Sequence, residues 1–337
     1  MKLTAIFVLF ICCLTLTGQY SPAAGTAGSS AIHFSSPLFK SWAKGCTVSR
    51  GFIDMTDTTF TFSQAGTTSN RAFYGEPADA VGVADGLSCV SLGDRGIAVC
   101  SFALPVINGP GFDFAVFENG MKSQQYPYLW FLELAVVEVS SDSVHFVRFP
   151  SSSLTSFDEQ ISGFGQLDPV KINNLAGKYI AGYGTPFDLE ELKDCTAVDV
   201  NNIRFIRVID AVGSVDSLFA TYDSEQRPIN DPFPTPFWQG GFDLDGIGVI
   251  NQLTQVPLIH EGNTDELLVL FPNPVRHGMR LFLNHASDAR IVCITDISGH
   301  AVPPFTFGEE VNYTPGIYFV HIELNKKLFI RKLIVAD

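Results

Sequence analysis

Four carboxylates beside glycine turns, Asp113, Glu118, Asp243 and Asp245, offer the clearest chemistry in these 337 residues. Asp243 and Asp245 stand two apart where Gly240-Gly241-Phe242 runs into Leu244-Asp245-Gly246-Ile247. On a strand that spacing turns both side chains to one face. Asp113, Glu118 and Asn119 bracket another apolar run. Hard oxygen donors at strand ends suit Ca²⁺, which tolerates irregular geometry, so a structural Ca²⁺ tying the last strand to a loop is one expectation. The other is that these carboxylates cap turns and accept from backbone N–H groups, as Asp commonly does. No Asp-x-Asp-x-Asp-Gly loop favours the metal.

Aromatic residues give a second cue. Tyr126, Tyr128 and Trp130 crowd one probable turn region around Pro127, and Phe237 and Trp238 follow a Pro-rich run from Pro232 to Pro236. Tyr183 falls in a long irregular stretch. Such rings, braced by proline, stack on a sugar or a flat macrocycle, or else plug the end of a sandwich. Glu133 and Glu138 lie five apart, on opposite faces of a strand, and do not make a glycosidase pair. There is no His-Glu-x-x-His, no Gly-x-Ser-x-Gly elbow and no phosphate loop before a helix. The expectation is a binding protein rather than an enzyme. A purely structural or adhesive protein is the alternative, and a hydrolase hidden in the long loops the third reading.

The elements that must position these residues are strands. Charged residues are only 17% of the chain, while 29 Phe, 29 Gly and 19 Pro favour short strands and turns. Strands are expected at Ile97–Leu104, Asp113–Glu118, Leu132–Ser140, Val144–Phe149, Ile203–Asp210 and Leu244–Ile250, with one helical turn at Leu189–Asp194. The fold class is therefore all-β, a jelly-roll-like sandwich over residues 43–252. Two long irregular stretches, 150–199 and 212–241, are the expected binding surface. The balance of 21 Lys and Arg against 35 Asp and Glu gives no attraction for nucleic acid.

Lys2 followed by the apolar Leu3–Leu16 and small residues reads as a signal peptide over residues 1–24. Cys12 and Cys13 lack the small residues that precede a lipidated cysteine. No second apolar run is long enough to span a membrane in the mature chain. A Ser/Ala/Gly-rich lead over residues 20–35 is expected to be flexible. Of the remaining cysteines, Cys46, Cys89, Cys100, Cys195 and Cys293, the pair Cys89 and Cys100 could face each other across a hairpin. The other reading is small buried hydrophobes.

After a linker at 253–267, four pieces follow in order: Leu268-Val269-Leu270-Phe271-Pro272-Asn273-Pro274, Ile294-Thr295-Asp296-Ile297-Ser298-Gly299-His300, Tyr313-Thr314-Pro315-Gly316-Ile317-Tyr318-Phe319-Val320 and Lys332-Leu333-Ile334-Val335. Residues 268–337 thereby resemble the type A C-terminal sorting domain of the Bacteroidetes type IX secretion system, with Phe271 where Tyr is common. The resemblance implies a small Ig-like β-sandwich, recognition by that export machinery, and delivery to the cell surface or medium. Earlier in the chain, Ala80-Val81-Gly82-Val83-Ala84-Asp85-Gly86, Val90-Ser91-Leu92-Gly93-Asp94-Arg95-Gly96 and Asn108-Gly109-Pro110-Gly111-Phe112-Asp113-Phe114 resemble a family of secreted Bacteroidetes cell surface proteins. They are also similar to discoidin-like and jelly-roll carbohydrate-binding modules. Those resemblances imply a glycan ligand, or a cobalamin-like corrinoid.

Overall fold

The computed structural model describes residues 20–126, 128–253, 268–284, 289–324 and 327–336. The chain divides between Leu253 and Thr254 into two compact units. Both are built from strands, and among the described residues no helix is long and apolar enough to cross a membrane.

The first unit is a two-sheet sandwich. Its principal strands are β1 (Ile32–His33), β2 (Ser41–Trp42), β3 (Gly45–Ser49), β4 (Val90–Ser91), β5 (Ile97–Val106), β6 (Phe114–Glu118) and β7 (Met121–Lys122). They continue with β8 (Trp130–Phe131), β9 (Ala135–Ser140), β10 (Val147–Arg148), β11 (Tyr183–Phe187), β12 (Ile203–Asp210) and β13 (Asp243–Val249). One sheet runs β1-β11-β6-β13-β2, with β4 also paired to β13; the other runs β10-β9-β12-β5-β3. The expected strand Ile203–Asp210 coincides with β12, and the expected helical turn is a 3-10 turn at Leu189–Leu192.

Period-two alternation explains the core. Phe114 and Val116 of β6, with Leu244, Ile247 and Val249 of β13, meet Ala98, Cys100, Val137, Val139, Ile206 and Val208 from the opposite sheet. The intervening Ala115 and Phe117 turn outward and are covered by Phe34, Phe39 and Trp42. Thus β6 is buried on both faces, which is why its sequence Phe-Ala-Val-Phe lacks polar positions.

The second sheet is covered on its outer face as well. Val136 of β9 faces a separate cluster with Leu134, Leu167, Ile172, Leu175, Tyr179 and Ile229. The stretches 150–199 and 212–241 are therefore not open loops; they carry a core of their own. Against it packs the segment expected to be a flexible lead. Ala24 is buried in this cluster, the Tyr20 hydroxyl donates to Ser152 at 2.9 Å, and the hydroxyls of Ser30 and Tyr179 are bonded at 2.8 Å. The small side chains that suggested flexibility instead allow close apposition, so the first unit takes in residues from Tyr20 onward rather than beginning at 43. Residues 1–19 and 254–267 lie outside the described residues, and with them most of the expected signal peptide and linker.

The second unit has a five-stranded sheet, with Arg290–Asp296 and Lys327–Ala336 flanking the central Gly316–Leu324. The ladder of Leu270–Phe271 with Phe282–Leu283 joins it around Leu270, Val275, Ile294, Val320, Ile322 and Leu333. The Ile294–His300 piece is a strand and hairpin turn: Gly299 takes φ +85° and Asp296 Oδ1 accepts the amides of Ser298 and His300.

Candidate functional site

The last residue of β6 and the first of β13 meet at one end of the sandwich. Leu244 sits opposite Glu118 in the ladder, which brings Asp243 beside Glu118. Glu133, in the connection from β8 to β9, joins them. Burial is the first reason its carboxyl is held protonated far above the ordinary range, and the charges of Asp243 and Glu118 are the next. Glu133 and Asp243 line a cavity of about 200 Å³, whose walls include Phe131, Phe164 and Phe237. The Phe164 and Phe237 rings lie 5.3 Å apart. Tips of both long stretches thus contribute wall, Phe164 from the first and Phe237 from the second.

Hydrogen bonding separates these carboxylates from the structural ones. Asp210 accepts the amides of Arg95 and Phe242, Asp231 that of Leu134, and Asp94 that of Met55. Those groups satisfy backbone donors, the ordinary use of a buried Asp. Glu118 is different: Oε2 accepts the Gly120 amide at 2.7 Å, whereas Oε1 is buried without a partner among the described residues. Glu133 is 6% exposed and no hydrogen bond from the described residues reaches its carboxyl. Its position in a cavity wall leaves this carboxyl free to meet a ligand. Asp243 is bonded by the Ser91 hydroxyl and Asn119; burial nevertheless pushes it up to about 6. Arg50 opposes that rise from the far side, its guanidinium held by the carbonyls of Tyr74, Gly75 and Ser91.

The four carboxylates offered as calcium ligands do not form one group. Asp113 lies at the opposite end of β6, where it accepts the amides of Gly109 and Leu189 and the Asn251 side chain. Asp245 was expected to share a face with Asp243. A bulge between Leu244 and Gly246 breaks the alternation, and Asp245 accepts the amides of Asp85 and Gly86 instead. Only Glu118 and Asp243 remain together. Among the described residues no three His, Cys, Asp or Glu side chains converge as a metal set.

The six aromatic candidates also part company. Phe237 lines the cavity. Tyr126 and Tyr128 are exposed at the tip of the β7–β8 hairpin, their ring centroids 6.3 Å apart; Met121 and Phe131 at the base of that hairpin reach the cavity. Trp130 is corrected to a core residue: alternation turns it away from Phe131 into the second cluster, at 4% exposure. Tyr183 packs edge-on against His33 on that same cluster. Trp238 braces residues 73–74, its carbonyl accepting both their amides and its ring contacting Phe73 and Tyr74. Glu138 stays on the outer face of the second sheet, ion-paired to Arg148 and Arg207, away from Glu133.

Comparison with known proteins returns no matching family model and no matching curated protein. One solved structure, a Faecalibacterium prausnitzii beta-glucuronidase, is similar at 11% identity and a TM-score of 0.17, over 91% of this chain and 46% of that one. The chain therefore spans under half of that enzyme, and a TM-score so low carries no argument about chemistry.

Proposed function

We propose that this all-β chain is an exported surface protein that holds the ring of a glycan residue in the Glu133 cavity, without cleaving it. The observation that carries the reading is a carboxyl in a cavity wall beside aromatic rings, with no hydrogen bond from the described residues. Sugars present several hydroxyl donors on one face and a C–H face on the other, which matches a carboxylate floor and phenyl walls. Size favours the sugar over the corrinoid. The cavity, about 200 Å³, falls below the roughly 300–1,000 Å³ typical of drug-sized ligands, and a corrin is larger than those. The exposed pair Tyr126 and Tyr128 extends an aromatic surface along the hairpin for neighbouring residues of the chain. Calcium enters the reading through Asp243, the one of the four carboxylates that lines the cavity, with sugar hydroxyls completing the shell.

A glycan array probed with the full chain tests this, with Ca²⁺ and with chelator. Neutral glycans are retained, no reducing sugar is released, and Phe237→Ala weakens retention about tenfold, the order of one lost aromatic wall. Absence of retention in both buffers would leave the adhesive reading. Address rests on the signal-like start and the sorting-domain resemblance. A form ending at Leu253 is expected to stay behind the outer membrane, and its normal appearance outside the cell would remove that part of the proposal.

A further inference from the structure

We propose that Cys46 and Cys100 close to a cross-strand disulfide that clamps the edge strand β3 onto β5. The register sets Cys46 directly opposite Cys100, between the pairs Gly45 with Ser101 and Thr47 with Val99. Directly opposed residues of an antiparallel ladder have Cα atoms about 4.5–5.5 Å apart, inside the roughly 4.4–6.8 Å that a disulfide spans. Opposed side chains share a face, and here both thiols lie on the inner one: Cys100 is fully buried in the first core, and Cys46 packs against it. Both are free thiols in the structure. Cys89, the other partner considered for Cys100, instead meets the Asn119 side chain at 3.2 Å, near Asp243.

Access and reactivity favour Cys46 as the attacking group. It is half-buried on an edge strand, and the neighbouring Cys100 thiol, with Arg50 nearby, lowers its pKa and favours its thiolate. With a small-molecule disulfide as oxidant, the Cys46 thiolate attacks one sulfur and expels one thiolate, giving a mixed disulfide. Cys100 then loses its proton and attacks the Cys46 sulfur, expelling the second thiol. Two protein thiols lose two electrons and two protons, and the oxidant becomes two thiols. The bond closes the loop 46–100, which contains Arg50 and the Phe73–Tyr74 contact to Trp238. It also holds β3 in place over the ladder of β5. The pairing depends on strand register alone; its presence in the cell rests on the export reading.

Oxidised glutathione tests the clamp on the purified full chain. Digestion with trypsin without reductant is expected to join peptide 45–50 to peptide 96–122, two hydrogens lighter than their sum. The melting temperature rises by on the order of 5 °C on oxidation. In Cys46→Ser, on an accessible edge, both the joined peptide and the shift are absent. Free Cys46 and Cys100 at saturating oxidant, either residue joined to another cysteine, or an equal shift in Cys46→Ser would each overturn the proposal. Failure of glycan binding would leave it untouched.

Discussion

Glu133→Gln is expected to raise the melting temperature at pH 7 by several degrees while weakening glycan binding about 10- to 100-fold. The unfolded chain carries Glu133 ionised at neutral pH, whereas the fold forces a proton onto it, because burial and the nearby charges of Asp243 and Glu118 oppose ionisation. Burial of an ionisable carboxyl therefore opposes folding at neutral pH, and Gln, nearly the same shape and uncharged, does not incur that cost. Binding moves the other way. A hydroxyl donating to an ionised carboxylate contributes about 1.5–3 kcal/mol, which Gln reproduces only in part. Thermal melts and titration of an array-positive oligosaccharide, on one preparation, check both halves. A destabilised variant with unchanged affinity would make Glu133 a structural residue and remove the cavity as the site. Glu133→Asp, which keeps the charge on a shorter stem, is expected to fall between the two.

The strands around this site were legible because their physics is local. Alternation and β-branched runs mark β6, β12 and β13 to within a residue or two. The split of the carboxylates was not, because it turns on a single bulge at Asp245 and on which end of β6 each acid occupies. Spacing along one strand says nothing about an inserted residue on it. Trp130 and Phe131 illustrate the same limit: a turn around Pro127 is visible, but the short strands flanking it are not, and which of two adjacent aromatics faces the cavity depends on which face the long stretches cover. The missed residue did leave a signal. Glu133 interrupts Trp130-Phe131-Leu132 and Leu134-Ala135-Val136-Val137 in an otherwise apolar run, a charge where the pattern demands burial. The small residues of 20–35 misled for a related reason, since Ala and Ser serve equally in loose leads and in tight contacts.

Opposite pH slopes for stability and for affinity are the second large expectation. Burial pushes Asp94 up to about 7, and Asp243 and Asp245 each up to about 6. Burial likewise raises Glu118, Glu133, Asp210 and Asp231 well above the carboxylate range. A group whose folded pKa exceeds its unfolded one stabilises fully below the unfolded value, near 4, and that stability is lost as pH rises through the folded value. The free protein should therefore melt higher at pH 5 than at pH 8, the decline from Asp243 and Asp245 running from about 4 to about 6 and that from Asp94 to about 7. Asp142 and Asp223 run counter, their carboxyls held below the usual range by partners that include His145 and Arg227. Their contribution disappears only below about pH 4, so the optimum lies on the acid side of neutral. A ligand that donates hydroxyls to Glu133 and Asp243 recruits their ionised forms and releases protons, so affinity should climb across the window in which stability falls. For the same reason a uronic acid, bringing its own carboxylate to a cavity lined by acids, should bind more weakly than the neutral sugar, and more so at high pH. Melts and isothermal titration at pH 5, 6, 7 and 8 separate the two slopes. A melting temperature rising toward pH 8, or an affinity highest at pH 5, would mean that Glu133 and Asp243 meet the ligand as neutral acids, and the carboxylate floor would have to be given up.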